Sequence, residues 1–396
     1  MNRRTFLATS TAAASGLAAM AGGLATPAIA QGASLRIGMI TTLSGPGGYL
    51  GQDIRDAFQL AADMEQGRLG GQAVQISVED DALRPGQGKA IAERFLKNDR
   101  IRLFTGVVFS NVLGAVAPDV LDGDGIYVSP NAGPSNFAGT ECHRNYYVVS
   151  WQNDSLHESA GELANLLGYG RMAILAPNYQ AGRDALTGFK RLYKGQVVLE
   201  TYTRLDQTDY AAEMAQIRAA RPDAVFQFHP GGLGIAFLRQ YAQAGLLATI
   251  PLCVAAPSMD STTLAAVGDA AEGVNCTAHW NTDFDNAPSR RFVEAFRARY
   301  NRTPTYYAQQ GYDTALAIGA ALRQTRGSID PAAFRTAMLR ADFESTRGRF
   351  RFGPNQHPVQ DWFALKVQRV NGQLALVTQR RVLENHGDAY AAMCRL

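Results

Sequence analysis

Short apolar runs alternating with helix-length amphipathic stretches, in two successive sets, most limit the folds open to this chain. In the first set, Leu35–Thr41, Val74–Val78, Leu103–Val108 and Ile126–Ser129 read as strands. A helix carrying Ile54, Ala57, Phe58, Ala61 and Ala62 on one stripe separates the first two, and Pro85–Asn98 reads as another. Beyond residue 150 the pattern restarts, with strands at Met172–Leu175, Val197–Thr203, Ala224–Phe228, Ile250–Val254 and Gly273–Ala278. Helices at Leu156–Leu167, Ala185–Tyr193, Tyr210–Ala219 and Gly234–Ala244 fall before or between them. Strands parted by helices of this length form βαβ units in parallel sheets, with ligand crevices at the strands' carboxyl ends. The expected class is α/β, with two doubly wound parallel-sheet lobes divided near residue 150. A helix-rich stretch, Ser289–Arg340, follows the second set.

The chain has 396 residues, enough for two domains that each bury a core. Net charge is +3, and the first 30 residues hold two arginines and no acid, leaving a nearly neutral body. Interspersed charge of this kind excludes nucleic acid as a partner, which would need a clustered basic face. Asn2-Arg3-Arg4-Thr5-Phe6-Leu7 opens residues 1–30 with a twin-arginine pattern. A weakly apolar Ala/Gly-rich run and a small-x-small box, Ala28-Ile29-Ala30, complete a cleavable export signal. The predicted location is the periplasm.

Four cysteines in an oxidising compartment allow two disulfides in three connectivities. The preferred pairing joins Cys253 to Cys276, on what read as neighbouring strands, and Cys142 to Cys394, tying the tail to the middle of the chain. Their spacing matches no zinc pattern, so no metal and no cofactor is expected. Catalytic signatures are missing as well: there is no G-x-S-x-G elbow, phosphate-binding P-loop or H-E-x-x-H helix. His157-Glu158 reads as the solvated start of a helix, and Gly232-Leu233-Gly234 as a tight strand-to-helix turn. The expected protein is not an enzyme.

From Leu35 to about Ala320 the chain resembles the type I periplasmic solute-binding proteins of the leucine/isoleucine/valine and amide class. The residues that carry the resemblance are Ile37-Gly38 with Leu43-Ser44-Gly45-Pro46, Val78-Glu79-Asp80-Asp81, Phe104-Thr105-Gly106 and Ser129-Pro130-Asn131-Ala132. Gly268-Asp269-Ala270-Ala271-Glu272-Gly273 and Tyr300 through Tyr312-Asp313 extend it. The resemblance implies a receptor of an ABC importer, with a membrane permease and an ATPase as partners. It implies lobe 1 from residues 34–150 and 282–358, and lobe 2 from 151–281 and 359–396. Three crossings would form the hinge on which the lobes close, and the C-terminal hairpin would lie in lobe 2.

The same resemblance places candidate ligand-binding residues. Ser110 occupies the first carboxylate-binding position, Asn131 and Ala132 the second loop, and Gly133 a position where relatives often carry a hydroxyl. Tyr49, Phe109, Trp151 and Tyr179 fall on loops bordering the cleft, and Arg183 falls at a helix N-terminus in lobe 2. His229 follows a strand and is a candidate for a ring hydroxyl. Where amino-acid receptors place an acid, the chain reads Val254-Ala255-Ala256-Pro257. Burying an ammonium unpaired is costly, so an aromatic carboxylate of benzoate or hydroxycinnamate type is the expected ligand. The alternatives are a branched-chain amino acid or short amide receptor, and a periplasmic sensor on the same fold.

Overall fold

The computed structural model describes residues 34–396. The export signal expected in residues 1–30 lies outside the described residues.

In chain order the first sheet is built from β1 (Leu35–Thr41), α1 (Gly48–Met64), β2 (Arg68–Leu69), β3 (Gln72–Asp80), α2 (Pro85–Lys97) and β4 (Leu103–Thr105). Then come α3 (Ser110–Asp122), β5 (Ile126–Ser129), α4 (Ser135–Ala138) and β6 (Tyr146–Val148). The strand order is β2-β3-β1-β4-β5-β6, parallel apart from the β2–β3 hairpin. β1 pairs with β3 on one side and β4 on the other. The winding reverses there, and the loops after β1 and β4 part to open a crevice.

The chain then passes to α5 (Asn153–Leu166), β7 (Arg171–Pro177), α6 (Gln180–Leu192), β8 (Gln196–Thr203), α7 (Ala211–Ala220) and β9 (Ala224–Gln227). It continues through α8 (Gly232–Gln243), β10 (Cys253–Ala255), α9 (Ser261–Val267) and β11 (Asn275–Ala278). β7 lies between β8 and β9, a second reversal of winding. One bridge, Val225 to Leu252, carries the sheet on to β10 and β11.

From β11 the chain runs into α10 (Ala287–Tyr300), α11 (Tyr306–Thr325) and α12 (Pro331–Leu339). α11 packs along α1 in the first lobe, where Gly311 lets the backbones touch: a Cβ there would meet Ile54 O at 2.3 Å. β12 (Phe350–Phe352), β13 (Pro358–Val370) and β14 (Gln373–His386) then join the second sheet as antiparallel strands beside β11. Asn371-Gly372, with φ of +52° and +82°, makes the tight turn of the β13–β14 hairpin. The second sheet is therefore mixed, with antiparallel strands at one side of its parallel core.

Two of the cysteines follow the expected pairing and two do not. Cys142 and Cys394 form a disulfide with Cα atoms 5.6 Å apart. Cys253 and Cys276 are buried free thiols. Their strands are indeed neighbours, but Cys253 lies opposite Asn275 and Cys276 opposite Val254. A one-residue offset puts the two side chains on opposite faces of the sheet, so they cannot bond. Burial pushes the Cys253 thiol up to about 12 and raises that of Cys276, which leaves both unreactive.

Asp53 on α1 is buried against α11, accepting from Thr305 Oγ1 and pairing with Arg302. Burial raises its carboxyl to about 6, against the lowering effect of Arg302 and Thr305. A folded-state value above the unfolded one contributes stability that is complete below about pH 4 and lost as pH rises through about 6. The fall should reach about 2–3 kcal/mol. Denaturant titrations at several pH values should show Asp53→Asn flattening the stability profile in that window, and an unchanged profile would refute the assignment.

Candidate functional site

Two helices start at the two crevices. α3 follows β4 in the first lobe, α6 follows β7 in the second, and Ser110 and Ala181 from their first turns line one enclosed cavity between the lobes. Neither helix has a side-chain cap at its N-terminus. Val112 N bonds Phe109 O and Arg183 N bonds Tyr179 O, while the N–H groups of Ser110 and Ala181 have no protein acceptor and carry the positive end of each helix dipole.

Aromatic rings form the walls. Phe109 and Tyr307 come from the first lobe, Tyr179 and Phe228 from the second, and Trp151 from the segment crossing between them. Tyr179 stacks on Phe228 at 6.2 Å and 14°, and Trp151 stands edge-on to Tyr307 at 6.4 Å. The polar lining is Ser110, Asn131, Asn153 and His157, and among the described residues no Lys, Arg, Asp or Glu lines the cavity. Asn153 Nδ2 donates to Ser110 Oγ at 3.2 Å, and Asn131 Nδ2 to Val108 O at 2.7 Å, leaving Asn131 Oδ1 without a partner.

The lobes are closed. Tyr49 OH donates to Asp260 Oδ2 at 2.9 Å, Ser135 Oγ to Asp184 Oδ1 at 2.7 Å, and Gly232 N to Pro46 O at 2.9 Å, each across the cleft. The enclosed space leaves about 20 Å³ for water centres, room for one water. A ligand larger than water fits only if the lobes part further than they do here. A wider groove of about 740 Å³ runs between α9, β14 and the α10–α11 loop. Its Arg302 is held by Asp53 and Asp56, and its Arg369 by Asp269 and Glu272.

Of the residues singled out in the sequence, Phe109, Ser110, Asn131, Trp151 and Tyr179 meet at the cavity. The others do not. Arg183 is exposed and donates to Asn178 Oδ1 and Gln180 Oε1 at 3.1 and 3.3 Å. One residue advances a helix by about 100°, and Asp184 takes the inward position instead. His229 is a core residue whose Nε2 and Nδ1 meet Thr203 and Gln227 at 3.0 and 2.8 Å, and burial holds its pKa down to about 3. Tyr49 bridges the lobes away from the cavity. Ala132 and Gly133 lie behind the wall: Ala132 O accepts from Ser129 and Tyr146, and a Cβ on Gly133 would meet Trp151 O at 2.2 Å.

Sequence reasoning passed over Asn153, His157, Phe228 and Tyr307. The helix expected from residue 156 begins at Asn153, capped by Gln152 Oε1 on Ser155 N. With the helix starting three residues earlier, His157 falls in its second turn and is 1% exposed, not at a solvated start. Gln152 as a capping group was the available signal.

Two α/β lobes closing over an aromatic-walled cavity are built to bind a small molecule by enclosure. The periplasmic binding protein family matches residues 34–373, and the chain belongs to that family. It is a solute-binding protein of the ABC transporter type, a non-enzymatic receptor. It is 24% identical over 368 residues to "Leu/Ile/Val-binding protein homolog 6" of Brucella melitensis, covering 89% of this chain and 93% of that one. A solute-binding protein from R. palustris, solved in complex with benzoate, superposes with a TM-score of 0.86 at 26% identity, covering 92% of this chain and 100% of the other. A second, from Rhodopseudomonas palustris BisB5 with 3,4-dihydroxy benzoic acid, gives 0.83 at 26%, with 90% and 99% covered. Among the described residues no helix is long and apolar enough to cross a membrane.

Proposed function

We propose that this protein is the periplasmic receptor of an ABC importer for an aromatic carboxylate, exported by the twin-arginine signal in residues 1–30 and docking on a membrane permease and its ATPase. One observation carries the ligand class: two helix N-termini without side-chain caps, from opposite lobes, open on a cavity walled by five aromatic rings and lined, among the described residues, by no charged side chain. Backbone N–H groups and helix dipoles favour a carboxylate there. Flat walls favour a ring, through stacked and edge-on contacts. An α-amino acid would bring an ammonium to a cavity without a carboxylate to meet it. The benzoate and dihydroxybenzoate bound by the two solved relatives agree with this reading.

Thermal unfolding of the purified protein with benzoate, hydroxybenzoates, coumarate, leucine and valine tests it. A ligand at a hundred times its Kd should add about 2.7 kcal/mol. The aromatic acids should raise the Tm and the amino acids should not. A shift with leucine or valine alone would overturn the aromatic reading in favour of a branched-chain amino acid receptor.

A further inference from the structure

We propose that His157 is a neutral hydrogen-bonding group for a hydroxyl on the ligand's ring, so that the cavity selects hydroxy-substituted aromatic carboxylates over unsubstituted ones. This inference rests on the aromatic-carboxylate reading and deepens it.

His157 lines the cavity from the second turn of α5 and is 1% exposed. Its ring stands edge-on to Phe228 at 4.8 Å and Phe226 at 5.6 Å. Nδ1 is buried without a partner, and no described residue bonds the other nitrogen. Each of the remaining buried histidines has at least one nitrogen bonded: His229 both, His279 its Nε2 to Gln309 with Nδ1 unpartnered, and His357 its Nδ1 to Asn355 O with Nε2 unpartnered. A buried imidazole with no partner at either nitrogen is rare in folded proteins, and such groups call for a bound partner.

The imidazole is neutral. Burial holds its pKa down to about 3. The acids nearby are turned elsewhere. Asp154 and Glu158, on the same helix, pair with Arg191, and Glu158 also meets His386. Asp184 on α6 is engaged by Ser135 and Asn153. The neighbouring phenols, Tyr179 and Tyr307, have pKa values raised by burial and stay protonated. A neutral imidazole offers one donor and one acceptor.

The balance of donors and acceptors then limits the ligand. A carboxylate only accepts, so it answers the helix N–H groups and the Ser110 hydroxyl. It leaves two acceptors unmet: one nitrogen of His157 and Oδ1 of Asn131. A ring hydroxyl has one proton and supplies the donor for one of them, the imidazole nitrogen. Sites built around a substrate hydroxyl discriminate strongly against the analogue that lacks it, because buried polar groups are left unpaired.

Calorimetric titration of the full-length protein and of His157→Phe with benzoate, 3-hydroxybenzoate and 4-hydroxybenzoate tests the proposal. In the natural protein at least one hydroxybenzoate should bind about tenfold or more tighter than benzoate. In His157→Phe that ratio should fall to near one, while His157→Gln, which keeps a donor and an acceptor, should recover part of it. Equal affinities in the natural protein, or a preference that survives in His157→Phe, would overturn the role of His157 while leaving the aromatic reading standing. Failure of all three acids to bind would remove that reading and this proposal with it. Affinity for the preferred hydroxybenzoate should be flat between about pH 5.5 and 8. A loss of about tenfold per unit of rising pH would mean an imidazolium–carboxylate pair and would overturn the neutral hydrogen bond.

Discussion

Arg347→Met should destabilise the protein by about 3–5 kcal/mol, the cost of leaving a buried charge without its partner. The guanidinium is 1% exposed and pairs with the fully buried Asp313 of α11 at 3.1 Å. Its Nη1 also donates to Val149 O, Ser150 O and Gln360 Oε1 at 2.7, 2.9 and 2.7 Å. Gln360 Nε2 in turn donates to Ser150 O at 2.9 Å. One side chain thus holds the segment leaving β6, the start of β13 and a first-lobe helix, where the chain passes between its sheets. Burial lowers its pKa, against the raising effect of Asp313, yet an arginine remains charged here. Denaturant unfolding should show the loss, with Asp313→Asn combined with Arg347→Met costing less than Arg347→Met alone. A single variant within about 1 kcal/mol of the natural protein would contradict the ion pair's role.

Removing the Cys142–Cys394 disulfide should cost about 2–5 kcal/mol, because it closes a loop of 252 residues. Cys142 lies between α4 and β6 in the first lobe, whereas Cys394 follows β14, a strand of the second sheet. The tail between is laced down on the way. Asp388 accepts from Asn355 Nδ2 at 2.9 Å, and Tyr390 OH donates to Asp154 Oδ2 at 2.8 Å and lies beneath the Arg191 guanidinium. The disulfide is thus a strap between lobes as well as a brace for the tail. Cys142→Ser with Cys394→Ser, or reduction of the natural protein, should lower the unfolding midpoint to the same extent. Thiol titration of the unreduced, unfolded protein should find two free thiols, from Cys253 and Cys276. Finding none would restore the second disulfide that their neighbouring strands suggested.

The loops of the site were more legible than the helices. Ser110 and Asn131 were placed by the family resemblance, and they follow β4 and β5, where the carboxyl ends of parallel strands open on the crevice. Trp151 and Phe109 came from the same resemblance, as residues of loops bordering the cleft. The antiparallel strands β12 to β14 went unread in the alternation of strand and helix, although Asn371-Gly372 is a hairpin signal in its own right. Tyr307 was hidden because α11 reaches the cavity from a part of the chain far from the rest of the lining. Phe228 was read as the last residue of a strand, and that end proved to be a wall of the site.

The alternation of strand and helix, the two-lobe α/β class and the lack of catalytic signatures were legible without any tertiary contact. Each of these is a local property, set by hydrophobic period, turn chemistry or motif. The tertiary structure alone decided phase. It turned Asp184 inward in place of Arg183, brought His157 into the cavity by starting α5 three residues early, and set Cys253 and Cys276 on opposite faces by one residue of register. A hydrophobic pattern specifies the period of a helix or strand within its own residues. Which face a given polar side chain shows is chosen by packing against elements distant in the chain.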